Sequence, residues 1–283
     1  RGNEMEKIAV MYSGGVDSTL VADMAATDAD EIYLLTCISN CHLKDETAEH
    51  AYERMRPRVK LLENRHPSKK FTHIILNSKK IQAYLWNHLA FKDLATVGLW
   101  RNQPCACCSS ATFFRIFAFC LDHGIKRIYD GANVMMSNYP YQGIHCGELY
   151  ASFCKKFLIE KISPIYWYDN EDVMMLYRIK GFKDDQYIQR HLIKGKSSNK
   201  EAQERGIVTG DMKYNFANKN KHQILCGQEV FVNYSMFLFY YKRYDFVKMQ
   251  KLMSKQLQNH LEEMEPILIQ YQKSRKHQKL FCD

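Results

Sequence analysis

The side chains that could do chemistry begin with seven consecutive residues near the start of the chain: Ser13, Gly14, Gly15, Val16, Asp17, Ser18 and Thr19. An apolar run over residues 7–12 precedes them and a helical pattern over residues 20–26 follows, so the two glycines lie where a buried strand turns into a helix. Glycine lets the backbone turn tightly and bring its N–H groups close to a ligand. Hydroxyl groups and the N–H groups of a helix start are donors for phosphate oxygens, so the stretch has the properties of a phosphate-binding loop.

Asp17 is the member of this loop that would repel a phosphate. A carboxylate lies beside a phosphate only when a cation separates the two charges, and Mg²⁺ is the cation that usually does so at nucleotides. The loop is not a Walker A loop, because no Gly-Lys-Ser/Thr string ends it. The sequence therefore predicts that Asp17 holds Mg²⁺ next to a bound nucleotide.

The string Ser-Gly-Gly-Val-Asp-Ser between a strand and a helix resembles the PP-loop of the ATP pyrophosphatase superfamily. That superfamily includes GMP synthetase, NAD synthetase, tRNA-thiolation enzymes and 7-cyano-7-deazaguanine synthase. The resemblance implies that ATP is cleaved between its α and β phosphates, which leaves AMP on an activated carbonyl or carboxylate substrate. It also implies that residues 13–19 bind ATP and that the end of the second strand, at Thr36, Cys37 and Ile38, contacts the adenosine.

The composition is that of a globular protein with an excess of basic residues. The chain has 283 residues and a formal net charge of +9, which favours an acidic partner such as a nucleotide or tRNA. Ten cysteines in a chain of this length do not indicate a secreted disulfide framework. No signal peptide precedes the first strand, and the longest apolar run, residues 230–241, is too short to cross a membrane. We therefore expect a cytoplasmic protein with reduced thiols and no membrane partner.

A group of three cysteines, Cys105, Cys107 and Cys108, lies ahead of a helix expected over residues 111–123. Cys105 and Cys108 have Cys-x-x-Cys spacing, and three hypotheses for them stay open. In the first, a thiolate carries a persulfide or attacks a disulfide, with Cys226 as its resolving partner. In the second, Cys105, Cys108 and Cys226 bind zinc or a [4Fe–4S] cluster, as in some thiolating PP-loop enzymes. In the third, the cysteines are small buried residues at a helix entry.

The segments after these cysteines resemble the sulfur-inserting PP-loop enzymes, such as the tRNA 2-thiouridylases. The expected helix leads into a fourth strand over residues 127–130 and an Asp-Gly-Ala-Asn string at residues 130–133. The resemblance implies that Gly131 lies near the adenine. A Tyr-Pro pair at residues 139–140 resembles 7-cyano-7-deazaguanine synthase instead, but the Asp and Arg that accompany the pair in that enzyme are missing here. Too few cysteines follow Cys154 for that enzyme's late four-cysteine zinc site.

Strands that alternate with helices must position these motifs. The pattern predicts strands over residues 7–12, 31–37, 71–76, 127–130 and 163–167, and helices over residues 45–64, 78–94, 111–123 and 171–179. This alternation predicts an α/β fold with a doubly wound, mostly parallel sheet, in which the ends of the first, second and fourth strands flank the nucleotide. The helix over residues 45–64 carries His50, Arg54, Arg56 and Arg58, and we expect most of them on its solvated face.

The character of the chain changes near Gly181. We therefore predict an ATP-binding α/β domain over residues 1–181 and a basic, mainly helical region for substrate binding or oligomerisation over residues 182–283. Residues 183–222 interleave aromatic and basic side chains, as a nucleic-acid surface or a solvated linker would. Core helices are expected over residues 229–243 and from residue 246, with Pro266 kinking or ending the second. The apolar stripe of this last helix indicates either a core element or the interface of a homodimer.

The sequence thus favours an AMP-forming ATP pyrophosphatase that transfers sulfur to a tRNA base or a small cofactor. Its predicted catalytic residues are Asp17, Cys105, Cys108 and Cys226. The expected ligands and partners are ATP, Mg²⁺, tRNA and a sulfur-donor protein. An amide- or nitrile-forming ligase similar to 7-cyano-7-deazaguanine synthase is the alternative enzyme, and a catalytically inactive nucleotide-binding module is the alternative of another class.

Overall fold

The computed structural model describes residues 6–40, 47–97, 103–137, 139–169, 180–207 and 245–282. Its centre is one five-stranded sheet: β1 (Lys7–Met11), β2 (Glu31–Ile38), β3 (Lys70–Asn77), β4 (Arg127–Tyr129) and β5 (Glu160–Ile162). All neighbouring strands are parallel, in the order β3-β2-β1-β4-β5. This order has β1 at the centre and a change of direction between β1 and β4, which confirms the predicted doubly wound sheet.

Burial on both faces explains why the strands are nearly continuous apolar runs rather than alternating ones. In β1, Ile8 and Val10 pack into the core on one face of the sheet, and Ala9 packs into the core on the other. Parallel strands need a crossover connection, and in this chain helices provide it.

Helices cover both faces of the sheet. The described α-helices are α1 (Val16–Ala25), α2 (Ala48–Arg65), α3 (Lys79–Val97), α4 (Gln103–His123), α5 (Ile144–Lys156), α6 (Gln186–His191), α7 (Ser198–Glu204), α8 (Phe246–Ser274) and α9 (Gln278–Phe281). Side chains of α1, α2 and α7 share the core of one face, and those of α3, α4, α5 and α8 share the core of the other. Helix α8 lies against α3, α4 and α5, so it forms a further layer outside them.

Helix α4 is a long helix with a strongly apolar segment. Its segment Cys105–His123 is long and apolar enough to cross a membrane by length and composition. In this fold the same segment packs in the core, where Phe113, Phe114 and Phe117 are almost fully buried. Phe113 stacks on Phe117, and edge-to-face and tilted contacts join all three rings to Phe153 of α5. The apolar character of α4 therefore follows from its place between the sheet and α8.

Two predicted element boundaries were wrong. Helix α4 begins at Gln103 rather than near residue 111, so the cysteines lie inside its first two turns. The last strand is Glu160–Ile162, and residues 163–167 form turns instead. Helix α8 runs through Pro266 to Ser274 because the proline is on the exposed side, where water can bind the backbone carbonyl that its missing N–H leaves free. The helices expected over residues 171–179 and 229–243 lie outside the described residues.

Candidate functional site

The glycine-rich loop lies at the carboxyl end of β1 and opens α1. Gly14 has φ of +71°, a left-handed conformation that glycine adopts without a steric penalty. Gly15 is the N-cap residue of α1, and no side chain caps the helix start. The Thr19 hydroxyl donates to the Gly15 carbonyl at 2.7 Å, and Ser13 Oγ lies 3.1 Å from Ser18 Oγ. These bonds hold the loop in a fixed curve, and the uncapped helix start that follows supplies N–H groups of the kind that bind phosphate.

Gly131 follows β4 and packs directly on this loop. A Cβ atom at Gly131 would lie 3.0 Å from the backbone nitrogen of Ser18 and 3.1 Å from the carbonyl carbon of Asp17. The turns after β1 and β4 therefore approach so closely that only glycine fits without displacement. Ligands of doubly wound sheets bind at the strand ends where the strand order reverses, and that point is here between β1 and β4.

The turn after β4 is fixed by a buried ion pair. Asp130 accepts hydrogen bonds from Ser163 Oγ at 2.6 Å and from the backbone N–H of Ala132 at 3.2 Å. The Lys161 ammonium of β5 lies 2.5 Å from the other carboxylate oxygen, and both side chains are almost fully buried. Lys161 was not among the predicted site residues, because its ion pair with Asp130 forms only where β4 and β5 lie side by side in the sheet.

Asp17 is half-buried, and a residue far along the chain contacts it. Ser198, at the start of α7, donates its hydroxyl to Asp17 Oδ1 at 2.5 Å. Arg205, just beyond α7, binds Asp23 of α1 at 3.2 Å. Because α7 packs on α1 in this way, the region after residue 181 reaches the glycine-rich loop.

Asp23 anchors that contact. Arg65 and His66 at the end of α2 lie 2.8 and 2.9 Å from its Oδ1. Burial acts to raise the pKa of Asp23, but the hydrogen bonds from Arg65, His66 and Arg205 outweigh it and lower the pKa. The carboxylate therefore stays charged, and α1, α2 and α7 meet at one buried anion.

Arg58 is the main site residue that the sequence prediction missed. We expected most basic residues of α2 on its solvated face, but the side chain of Arg58 is buried and its guanidinium donates to the carbonyl oxygen of Gly14. Burial lowers the pKa of Arg58 from its usual value, and even so the guanidinium is charged at neutral pH. The signal was present in the sequence: Arg58 lies three residues after Met55 and four before Leu62, so it shares their buried face.

The end of β2 contributes to two sides of the sheet. The Thr36 hydroxyl donates to the carbonyl oxygen of Tyr12, at 2.7 Å, and lies 3.0 Å from His73 Nε2 on β3. Burial lowers the pKa of His73 to about 4, so the ring is neutral at physiological pH. Cys37 points to the opposite face, where its thiol lies 3.8 Å from the carbonyl oxygen of Thr112 on α4. Thr36 therefore fixes the position of Tyr12, which leads into the glycine-rich loop. Cys37 instead faces α4.

The predicted cysteines separate on α4. Cys105 and Cys108, three residues apart, share one helix face and are half-buried, whereas Cys107 is buried. The Cys108 thiol lies 3.2 Å from Ser39 Oγ, immediately after β2. Cys108 is thus at the carboxyl edge of the sheet, on the same edge as the glycine-rich loop. Cys226 lies outside the described residues.

No protein-family model and no curated protein matches this sequence. Solved structures with a related fold include a 4-thiouridine synthetase in complex with RNA and ATP, at 14% identity and a TM-score of 0.47 over 91% of this chain and 53% of that one. The chain thus spans about half the length of that enzyme. The U34-tRNA thiolase NcsA of Methanococcus maripaludis, with its [4Fe-4S] cluster, aligns at 12% identity and a TM-score of 0.39. This alignment covers 91% of this chain and 73% of the thiolase. The NMN synthetase of Francisella tularensis aligns at 11% identity and a TM-score of 0.36, and this alignment covers 86% of this chain and 89% of the synthetase.

These alignments carry no conclusion about this chain by themselves, so the resemblance rests on the loop and its place in the sheet. Residues 13–19 form a Gly-Gly turn that follows the central strand β1 and opens α1, with Asp17 in the first turn of the helix, at the switch point of the sheet. In loop and fold, this chain resembles the PP-loop ATP pyrophosphatases. Residues 13–19 are therefore called the PP-loop below. The PP-loop, Gly131, Arg58 and Cys108 all lie at one edge of this sheet.

Proposed function

We propose that this chain is a PP-loop ATP pyrophosphatase that adenylates a carbonyl or carboxylate substrate and releases pyrophosphate. The observation that carries the proposal is the close approach of Gly131 to Asp17 and Ser18 at the β1–β4 switch point. This approach holds the uncapped start of α1 at the place where doubly wound folds bind nucleotides.

Each PP-loop group has a role in this proposal. The N–H groups of the loop and the hydroxyls of Ser13 and Ser18 bind the pyrophosphate part of ATP. Arg58 adds a fixed positive charge behind Gly14, in a buried site where charge interactions are stronger than in water. The substrate oxygen attacks the α phosphorus, the bond to the β phosphate breaks, and its electrons leave on pyrophosphate. Catalysis then depends mainly on positioning and on neutralising charge.

Asp17 fits Mg²⁺ by its chemistry and its position. Its carboxylate and the Ser198 hydroxyl are hard oxygen donors that already lie 2.5 Å apart next to the loop. When bound, Mg²⁺ would neutralise phosphate charge beside Asp17. In the proposed complex Thr36 holds the entry to the PP-loop, while Cys37 and Gly131 lie on the adenosine side.

For the acceptor we propose a tRNA base or a small cofactor that receives sulfur, supplied by a sulfur-donor protein. The supporting observation is the contact of Cys108 with Ser39 beside the end of β2, with Cys105 on the same face of α4. The start of a helix favours a thiolate, which is the form that carries or transfers sulfur. The same pair could hold iron or zinc, because two thiolates on one helix face suit a [4Fe–4S] cluster or a zinc ion when Cys226 joins them.

The core of the proposal is tested with α-labelled ATP and unmodified tRNA. We expect labelled AMP and free pyrophosphate from the wild-type chain, and a loss of both in Asp17→Ala. The matched control is Asp30→Ala, because Asp30 is also acidic but lies on the surface, paired with Lys69. Release of ADP, or equal activity in Asp17→Ala, would refute the proposal. Binding of ATP without any cleavage would indicate the inactive nucleotide-binding module instead.

The acceptor is tested separately by the nucleosides of cells that lack the protein. We expect a thiolated base to disappear, and to return with the wild-type gene and with Cys120→Ser but not with Cys108→Ser. Cys120 is a suitable control because it lies buried on the same helix, far from the sheet edge. Loss of a deazapurine instead would indicate the alternative ligase.

A further inference from the structure

A cluster of polar side chains lies buried between α3, α4 and α8, away from the PP-loop. Its members, called the Asp93 cluster here, are Asp93, Cys107, Ser110, Gln256, Asn259 and His260. None is more than 6% exposed, and Asp93, Gln256 and His260 are fully buried. Burying polar groups costs free energy unless each one is matched, so such a cluster in an apolar core calls for an explanation.

The contacts centre on the Asp93 carboxylate. His260 Nε2 lies 3.0 Å from Asp93 Oδ2, and Gln256 Nε2 donates to the same oxygen at 3.0 Å. Asn259 Nδ2 donates to Asp93 Oδ1 at 2.8 Å. The other nitrogen of His260, Nδ1, lies 2.8 Å from Ser110 Oγ. Both the carboxylate and the imidazole are thus held in place by outer partners.

Two features are not explained by a hydrogen-bond network alone. Gln256 Oε1 is fully buried and has no hydrogen-bond partner among the described residues. In the described part of the chain, Asp93 pairs with no Lys or Arg, so its charge is balanced only if a cation is added or His260 is protonated. A buried oxygen without a partner, close to a buried carboxylate and imidazole, supplies donor atoms suited to a cation.

The donor set identifies the cation. A carboxylate oxygen of Asp93, the thiol of Cys107 and a ring nitrogen of His260 all lie within 4.8 Å of one another, on three different helices. Oxygen, nitrogen and sulfur donors in four-coordinate geometry are typical of zinc. The 3.0 Å between Asp93 Oδ2 and His260 Nε2 would open by a few tenths of an ångström, because zinc holds such atoms at about 2.0–2.2 Å each.

We propose that Asp93, Cys107 and His260 bind a structural zinc ion, with Gln256 Oε1 as the fourth donor. Asn259 and Ser110 then act as the outer partners that metal sites use to orient carboxylate and imidazole ligands. On binding, Cys107 loses its thiol proton to solvent. The proton on His260 Nε2 moves to Nδ1, so that Ser110 Oγ accepts a hydrogen bond there and turns its own proton toward Tyr150, 3.4 Å away.

This site is separate from the one proposed for Cys105 and Cys108. Those two thiols share the face of α4 that reaches the end of β2, whereas Cys107 points into the core toward α8. The zinc would join α8 to the first turns of α4, which carry the cysteines of the proposed sulfur chemistry. It is a structural role, so metal content can be measured without any activity assay.

The test is the zinc content of the purified full chain, measured by mass spectrometry after anaerobic purification without chelators. We expect one equivalent of zinc in the wild type and in Cys120→Ser, and a loss of more than about tenfold in Cys107→Ser and His260→Gln. The double variant Cys105→Ser/Cys108→Ser separates the two sites and should keep its zinc. The proposal is wrong if the wild type from zinc-replete cells holds no zinc, or if the double variant loses it while Cys107→Ser keeps it.

Cobalt loading keeps the proposal testable if Cys107→Ser does not fold. Co²⁺ bound to the wild-type chain at this site should show a charge-transfer band from one thiolate and the spectrum of a four-coordinate ion. The Cys105→Ser/Cys108→Ser variant should show the same spectrum. A cobalt complex without a thiolate band would overturn the assignment of Cys107.

Discussion

The contact between Gly131 and the PP-loop can be tested by adding one methyl group. In Gly131→Ala the new Cβ would lie 3.0 Å from the Ser18 nitrogen, 3.1 Å from the Asp17 carbonyl carbon and 3.2 Å from Asp17 Cβ. Two of these atoms are backbone, so no side chain can turn aside to make room. The turns after β1 and β4 must move apart by a few tenths of an ångström, and overpacking of this kind costs about 1–3 kcal/mol.

Two assays separate the effect of this strain on stability from its effect on ATP binding. Urea unfolding gives the loss of stability, and calorimetric titration gives the affinity for ATP with Mg²⁺. We expect the affinity to fall by roughly tenfold if about 1.4 kcal/mol of the cost returns when ATP draws the turns together. The matched control is Gly147→Ala on α5, where a Cβ meets nothing within 4 Å. Since glycine is unfavourable inside a helix, Gly147→Ala should gain about 0.5–1 kcal/mol and bind ATP as the wild type does.

The outcome that refutes the reasoning is specific. If Gly131→Ala matches the wild type in both unfolding and ATP affinity, the two turns are not held together in solution. If Gly131→Ala is destabilised but binds ATP normally, the close approach serves the fold and not the nucleotide site.

Three further predictions concern neighbouring groups. Burial lowers the pKa of His73 to about 4. Below pH 6.5 the unfolded chain therefore binds more protons at this residue than the folded chain does, so the free energy of unfolding decreases as the pH falls. Between pH 7 and pH 5 the free energy of unfolding, measured with urea, should decrease by about 1–2 kcal/mol, and this decrease should be smaller in His73→Gln. Ser198→Ala removes the bond to Asp17 and should lower the unfolding free energy by roughly 1–2 kcal/mol, with an unchanged melting curve as the contrary result. Arg58→Met should weaken ATP binding more than Arg58→Lys does in titrations, and equal affinities would exclude a charge role.

Local patterns in the sequence were enough to predict four of the five strands and the class of the sheet. The Gly-Gly turn after an apolar run located the PP-loop, and the alternation of strands and helices predicted the doubly wound fold. Gly124 directly follows α4 and has φ of +66°, the left-handed conformation in which glycine commonly ends a helix. These features depend on neighbours within a few residues, so one sequence is enough to find them.

Features that depend on distant pairs could not be predicted in the same way. The contact of Ser198 with Asp17 joins residues 181 positions apart, and that of His260 with Asp93 joins residues 167 apart. No local pattern marks such pairs, because each side chain alone is ordinary for an exposed position. The boundary at residue 181 stays a prediction, as do the roles of Cys105, Cys108 and Cys226.

Helix α8 comes from the last part of the chain, yet it covers the helices that follow the first strands. A ribosome releases α3, α4 and α5 well before it has made residues 246–274. The apolar side of α4 that packs against α8 therefore stays unpacked until α8 has been synthesised. The order of synthesis and the order of packing therefore differ in this protein. For the same reason, a chain cut between α7 and α8 should remain one particle, because the contacts of α8 hold the two pieces together without the peptide bond.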